Sequence, residues 1–396
     1  MINLELPNSV LSVEKMTHMV AENVFRPISR KYDKKEHAQP VELNVLADMI
    51  KAQRAQGGGG GGKSSGGGNK NGENLRGVVS STEMSWGVVG MGVSIPGIGL
   101  GNAAIMAVGT DEQKAKFGTK WCAMAITEPG AGSDTANIST TARLEGNEWV
   151  LNGTKIFVTA GQWCEAVVVW ATLDKSLGKR AIKSFVVEKG TPGMTVARLE
   201  EKLGFRVSDT AQIQLDNCRI PRENILGSEE IASDAKKALG GVMQTFDNTR
   251  PMVAGMSVGV ARAALEVTRD ILAKEGVQAT YQKSLYRLSA IEAELVKMEA
   301  DWEAARLLML KAAWMADNKL PNSKEAAMCK AKAGRVGNYI TLRCVELCQQ
   351  LGFSEEHLLE KWARDSKILD IFEGTQQIQQ LIVARQVLGK SSTELK

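Results

Sequence analysis

The spacing of apolar residues changes twice along this chain of 396 residues. Up to about residue 120, and again from about residue 232, apolar side chains recur every three or four positions, as on one face of a helix. Between those stretches lie short runs rich in Val, Ile, Thr and aromatic residues, at 149–158, 167–172, 182–187, 194–199 and 211–215, punctuated by Gly and Pro. These read as strands, and Asn152-Gly153 predicts a hairpin turn in the first of them, because such turns need left-handed backbone at their centre. The order predicts an α+β fold: an N-terminal helical domain over 1–120, a β-barrel or sandwich domain over 121–230, and a C-terminal helical bundle over 231–396. Long helices are expected at 290–315 and 324–351, and a short one from Asp111-Glu112 to near Gly118. A ligand held between the β-domain and the helices suits that order.

Several functions have no footing in the composition. A net charge of +4 forms no basic stripe, so no nucleic-acid partner is expected. The three histidines, His18, His37 and His357, are far apart in sequence, so neither a His-based metal site nor a Ser-His-Asp triad is expected. The six cysteines are dispersed as in a reducing compartment; Cys344 and Cys348 share a helix face as packing residues. The opening Met1-Ile2-Asn3-Leu4-Glu5-Leu6-Pro7 lacks a basic start and an apolar run, so no targeting signal is expected and the protein reads as cytoplasmic. Residues 86–110 carry no charge, but seven glycines and Pro96 point to two buried helices about a bend rather than a membrane span.

Ten of the 39 glycines fall in residues 57–72, and Gly57 through Ser64 spells a phosphate-loop pattern. That pattern works only between a buried strand and a helix whose N-terminus faces the phosphate. Here an amphipathic helical stretch precedes it and more Gly and Asn follow, so the segment reads as a flexible surface loop.

Three turns are candidates for chemistry. Thr127-Glu128-Pro129-Gly130-Ala131-Gly132-Ser133-Asp134 brings backbone and hydroxyls close to a planar or phosphorylated ligand, or simply joins strands. In Ile371-Phe372-Glu373-Gly374-Thr375, Thr375 reads as the N-cap of a helix carrying Ile378, Leu381 and Ile382. Glu373 is then either a buried general base or an ordinary carboxylate favoured by the helix dipole. Phe246-Asp247-Asn248-Thr249-Arg250-Pro251 reads as a helix start, whose polar residues are functional or merely capping.

Together with Lys155-Ile156-Phe157-Val158-Thr159, Leu203-Gly204, Ser208-Asp209-Thr210 and Arg364-Asp365-Ser366-Lys367, these segments resemble the acyl-CoA dehydrogenase family. They occur in family order over roughly residues 80–390. The resemblance implies a helical domain, a β-domain and a C-terminal four-helix bundle, with FAD as cofactor. It implies oxidation of an acyl-CoA thioester to the trans-2-enoyl form, with electron-transfer flavoprotein as the expected acceptor. Glu373 matches the family's base, which removes the α-proton while the β-hydrogen leaves as hydride to flavin N5. The enolate oxygen is stabilised by the backbone N–H at the Glu373 position and a ribityl hydroxyl.

Carried over by position, the segment including Met124, Ile126, Thr127, Gly132 and Ser133 lines the flavin and its pyrophosphate, with Ser133 also near substrate. Phe157 covers the ring, Thr159 approaches N5, and Thr375 and Gln377 contact FAD. Asp247, Thr249 and Arg250 border the acyl-CoA channel, and Gly374 contacts substrate. Thr249 stands where a minority of relatives place their base, which leaves Glu373 unopposed.

Two departures concern what the chain lends to a neighbouring subunit. Where the family has Arg-x-x-Phe-Gly, this sequence reads Glu275-Gly276-Val277-Gln278-Ala279. Where it has Gln-x-x-Gly-Gly-x-Gly, this one reads Glu346-Leu347-Cys348-Gln349-Gln350-Leu351-Gly352. A carboxylate repels a diphosphate, and glutamines crowd its approach. The expectation is therefore a heterotetramer with a related acyl-CoA dehydrogenase subunit that supplies the missing groups, with a homotetramer as the alternative. Rival readings are a non-catalytic structural or regulatory subunit and an acyl-CoA oxidase. Small residues at Pro96-Gly97-Ile98-Gly99 suggest room for a long or bulky acyl group.

Overall fold

The computed structural model describes residues 5–53, 72–97, 99–231, 233, 240–391 and 394. The expected glycine-rich loop, Gly72 excepted, lies outside the described residues, as does Ile98.

The first third is helical, as its periodicity predicts. Helix α1 (Asn8–Val20) runs through a single π-helical turn (Ala21–Phe25) into α2 (Arg26–Lys34), followed by α3 (Leu43–Gln53) and α4 (Glu73–Gly87). The start of α4 is held from far along the chain. Asp317 accepts from the backbone N–H groups of Gly72 (3.0 Å), Asn74 (2.9 Å) and Leu75 (3.0 Å), satisfying donors that a helix cannot pair internally.

The uncharged stretch 86–110 departs from expectation. The first expected helix is only the end of α4; residues 88–99 bend through a 3-10 turn, Gly92–Ser94, before α5 (Leu100–Val108). Two of its glycines open no space: a side chain at Gly99 would lie 2.1 Å from the Cys122 carbonyl oxygen, and one at Gly101 2.3 Å from that of Ala123. They are small so that α5 can lie against the first strand. Among the described residues, no helix is long and apolar enough to cross a membrane. Helix α6 (Asp111–Phe117) forms as expected, closed by a capping box between Thr110 and Gln113.

Seven strands follow: β1 (Cys122–Ala125), β2 (Thr141–Glu145), β3 (Glu148–Thr159), β4 (Ala166–Thr172), β5 (Ile182–Glu188), β6 (Met194–Leu199) and β7 (Thr210–Pro221). They form one sheet in the order β1-β4-β2-β3-β7-β6, with β5 paired to β4. β4 is buried along its whole length. Its Val167, Val169 and Ala171 pack with Trp149, Phe185, Ile213 and Leu215, while Val168 and Trp170 join Ile105 of α5 and Phe117 of α6.

The predicted hairpin at Asn152-Gly153 is absent. β3 runs straight through it, and Gly153, at φ 152°, marks a slip in pairing with β7. A side chain there would meet Thr140 Oγ1 at 2.4 Å, so glycine is required by crowding rather than by a turn. The chain reverses instead at Gly146-Asn147, where Glu145 of β2 stands opposite Glu148 of β3 and Gly146 takes φ 63°.

The last third comprises α7 (Gly240–Lys274), α8 (Ala290–Asp317), α9 (Ser323–Leu347), α10 (Gln349–Phe353), α11 (Leu359–Ser366) and α12 (Gln376–Leu388). Helices α7, α8 and α9 pack on one another, α12 packs on α9, and α4 lies against α7 and α8. Residues 246–251 do not start a helix: α7 begins at Gly240, leaving Pro251 in its interior. The expected helix over 324–351 breaks after Cys348, where Gln349 adopts φ 47°. That is left-handed backbone at the position where the family places glycine.

Candidate active site

The geometry centres on two consecutive left-handed residues. Glu373 has φ 56° and Gly374 φ 93°, which turns the chain sharply between a 3-10 turn (Lys367–Asp370) and α12. A non-glycine residue in that conformation needs outside support. Gln379, buried on α12, donates from Nε2 to the carbonyls of Glu373 (3.0 Å) and Gly374 (3.1 Å). Lys330, buried on α9, donates from Nζ to the same Gly374 carbonyl at 2.6 Å. Thr375 is the N-cap expected from sequence, its side chain accepting from the Ile378 N–H.

The turn delivers the Glu373 carboxyl, half-buried, to α7, where Thr249 Oγ1 donates to Glu373 Oε2 at 2.8 Å. Burial pushes this carboxyl up; the Thr249 hydrogen bond and the charges of Arg250 and Lys330 act the other way. Arg250 is itself buried, with Nη1 2.6 Å from Asp247 Oδ1. The structure thus gathers five of the expected residues, Asp247, Thr249, Arg250, Glu373 and Gly374, around one carboxyl.

The β-domain supplies a second, more open group. Met124, Ile126, Thr127 and Thr159 are half-buried, while Gly132 and Ser133 are exposed. Phe157 projects from a bulge at the end of β3 with φ 58° and is 59% exposed, unusual for an aromatic residue inside a strand. A side chain at Gly130 would meet nothing within 4 Å. An uncovered aromatic ring beside half-buried apolar residues and an open, hydroxyl-bearing turn fits a planar group with a phosphate tail.

This turn is fixed from beneath. Lys155, on β3, donates from Nζ to Glu128 Oε1 (2.7 Å) and to the Ile126 carbonyl (3.0 Å), both side chains being shut off from solvent. Burial alone raises the Glu128 carboxyl, but hydrogen bonds from Lys155, Ser139 and Thr140 outweigh it and hold it down at about 2. The Ile156 N–H also donates to the Thr127 carbonyl at 2.9 Å.

The two groups are joined by the segment between β6 and β7. The buried Asp209 accepts from the Gln162 N–H at 2.7 Å, just beyond Thr159. Four residues earlier, the Phe205 ring meets that of Phe372, the residue before Glu373, edge to face at 5.9 Å. The Phe205 N–H donates to Asp365 Oδ1 (2.7 Å), and Arg364 grips Asp33 of α2 (2.7 and 3.0 Å) and the Leu203 carbonyl (3.0 Å). The motif pieces at 203–204, 208–210 and 364–365 therefore lock the three regions of the chain together. Thr375 lies at the foot of α12, and Gln377 is exposed on its first turn.

Sequence reasoning missed Lys330 and Gln379, and gave Asp209, Lys155 and Glu128 no role beyond their place in the quoted motifs. The available signal was a charged or amide residue inside an otherwise small or apolar run, such as Lys330 among Ala326, Ala327, Cys329 and Ala333.

Comparison with known proteins agrees with this geometry. The acyl-CoA dehydrogenase middle domain matches residues 123–218, and the acyl-CoA dehydrogenase C-terminal domain matches residues 239–388. The mitochondrial short-chain specific acyl-CoA dehydrogenase of Bos taurus is 34% identical over 98% of this chain and 92% of its own length. The structure of butyryl-CoA dehydrogenase from Megasphaera elsdenii superposes with a TM-score of 0.84 at 29% identity, covering 98% of this chain and all of that one. A chain from a structural study of the electron transferring flavoprotein of Acidaminococcus fermentans gives a TM-score of 0.85 at 29% identity, over 98% of this chain and 100% of that one. The chain therefore belongs to the acyl-CoA dehydrogenase family of FAD-dependent oxidoreductases.

Proposed function

We propose that this protein oxidises a short acyl-CoA thioester to its trans-2-enoyl-CoA, with Glu373 as the base that removes the α-proton. The observation that carries this is a carboxyl presented on a left-handed turn, hydrogen-bonded by Thr249 and faced by the buried cations Arg250 and Lys330. Burial raises its proton affinity toward that of a working base, while the cations keep it from remaining protonated. Asp247, Thr249, Arg250, Gly374 and Ser133 border the acyl-CoA. Met124, Ile126, Thr127, Gly132, Ser133, Phe157, Thr159, Thr375 and Gln377 hold FAD, which when bound supplies the acceptor for the β-hydride.

A short acyl group is favoured by the names of the bovine and Megasphaera relatives. Gly99, one of the small residues expected to leave room for the acyl group, packs on β1 instead. The likeness to the Acidaminococcus chain supports an electron-transfer flavoprotein as acceptor. Six free, buried cysteines suit a reducing cytoplasm.

The exposed Glu275, Gln349 and Gln350 support a heterotetramer with a related subunit. Purification alone and with candidate partners, followed by flavin-to-protein ratio, tests this; one tightly held FAD per chain in a pure homo-oligomer sinks it.

Anaerobic titration with butyryl-CoA tests the activity. Bleaching of the visible flavin band is expected for the wild type and its loss for Glu373→Gln. Bleaching by Glu373→Gln at the wild-type rate overturns the assignment of the base. Peroxide formed on aerobic turnover would instead identify an oxidase.

A further inference from the structure

Lys330 is placed as packing alone does not explain. It projects from α9 on a face with Ala326, Ala327, Ala333 and Gly334, and only 1% of it is reached by solvent. An ammonium taken out of water is strongly disfavoured unless it is compensated. Among the described residues, no carboxylate oxygen lies within ion-pair distance of Nζ; its hydrogen bond goes to the Gly374 carbonyl, 2.6 Å away. A buried positive charge is therefore directed at the peptide just after the proposed base.

We propose that Lys330 is a positioning residue for proton abstraction: its ammonium pins the left-handed Glu373-Gly374 turn and holds the Glu373 carboxyl in its ionised, proton-accepting form. This rests on the reading of Glu373 as the base. The charged and titratable groups around this point are Asp247 and Arg250 on α7, Lys330 on α9, and Asp370 and Glu373 on the connecting segment. Asp247 is paired with Arg250. Asp370 and Glu373 favour the charged lysine, and Arg250 opposes it. Burial pulls the Lys330 ammonium down to about 8, so it keeps its charge through neutral pH.

Gln379 provides the contrast needed to separate charge from support. It donates to the carbonyls of both Glu373 and Gly374 but carries no charge. Removing it should loosen the turn without altering the field on the carboxyl.

The test uses the FAD-loaded protein and a 3-thia-acyl-CoA, whose sulfur leaves no β-hydride to transfer. Exchange of its α-protons with D2O, followed by mass spectrometry from pH 5 to 9, reports the base alone. Wild-type exchange should rise with pH through the ionisation of Glu373. In Lys330→Met the midpoint should move up by about one pH unit and the plateau should fall, as expected on losing an opposite charge nearby. Lys330→Gln, which keeps a donor but no charge, should show the same midpoint shift with a plateau closer to wild type. Gln379→Met should lower the plateau with the midpoint unmoved.

Glu373→Gln separates the two ideas. Wild-type exchange in that variant would remove the base assignment itself. If Glu373→Gln is inactive while both Lys330 variants keep the wild-type midpoint, the role given to Lys330 is overturned. It is equally overturned if neither Lys330 variant retains flavin while Gln379→Met does, because Lys330 would then be a folding residue.

Discussion

Lys155 Nζ lies 2.7 Å from Glu128 Oε1, with the two side chains 0% and 1% exposed, directly under the turn proposed to receive FAD. The pair is isolated from solvent, so Lys155 depends on Glu128 and the Ile126 carbonyl for compensation, and Glu128 on Lys155, Ser139 and Thr140. Breaking one half of such a pair typically costs about 3–5 kcal/mol, because an uncompensated charge remains. Lys155→Met should therefore lower stability by about that amount and reduce flavin retention. Urea unfolding and the visible spectrum after gel filtration check this. The double variant Lys155→Met/Glu128→Gln should lose less than the two single losses added together.

The same pair sets an acid limit. Glu128 is held down at about 2 in the fold, below the ordinary carboxylate range, so its contribution is complete above about pH 4 and is lost as pH falls toward 2. Unfolding followed between pH 5 and 2 should show a steeper fall for wild type than for Glu128→Gln. Parallel curves would count against the pair as the source of the limit.

Gly374 combines φ 93° with a neighbour that leaves no room, since a side chain there would sit 2.4 Å from Gln379 Nε2. Gly374→Ala should cost roughly 1–3 kcal/mol in strain, or shift the turn and with it the Glu373 carboxyl. The expected result is loss of flavin bleaching by butyryl-CoA with the far-ultraviolet circular dichroism unchanged.

Thr249→Val removes the hydroxyl that donates to Glu373 Oε2 while keeping the side chain's shape. A hydrogen bond to a charged group contributes about 1.5–3 kcal/mol, so the Glu373 carboxyl should titrate about one to two units higher. Flavin bleaching measured from pH 5 to 9 should show its acid limb displaced upward by that amount. An unmoved limb would mean that the hydroxyl does not bear on the ionised base.

Burial pushes the Asp209 carboxyl up to about 6, and among the described residues its Oδ1 has no hydrogen-bond partner. The fold thus favours the protonated form. That contribution is fully present below the unfolded carboxylate value of about 4 and is lost as pH rises to about 6. Asp209→Asn should raise the melting temperature at pH 7.5, by the equivalent of about 3 kcal/mol, and flatten the change in stability between pH 4 and 6. Melting curves across that range decide it.

The helix–sheet–helix order was legible because periodicity is local: each helix or strand displays its own face. Strand β1 was missed because Cys122-Ala123-Met124-Ala125 has no β-branched residue, and its identity comes from parallel pairing with Val167, Val168 and Val169. Asn152-Gly153 misled because glycine answers two needs, a left-handed turn or a crowded strand, and the crowding comes from Thr140, just before β2. In the site, Thr375 and Gly374 announced the turn from their own positions. Lys330 did not, because its partner Gly374 is 44 residues away and only the packing of α9 against the turn joins them. Glu373 stood out in its own segment and family resemblance added Thr249 and Arg250, but the buried Lys330 and Gln379 that hold the turn required the fold.

The grip of Asp317 on the first turn of α4 has a practical consequence. Gly72, Asn74 and Leu75 are tied to a side chain more than 240 positions downstream, so the start of that helix is fixed through space rather than by the backbone that leads into it. New chain ends placed between α3 and α4 should therefore leave α4 seated on α7 and α8. A reporter inserted between α3 and α4 should likewise leave the carboxyl of Glu373 undisturbed.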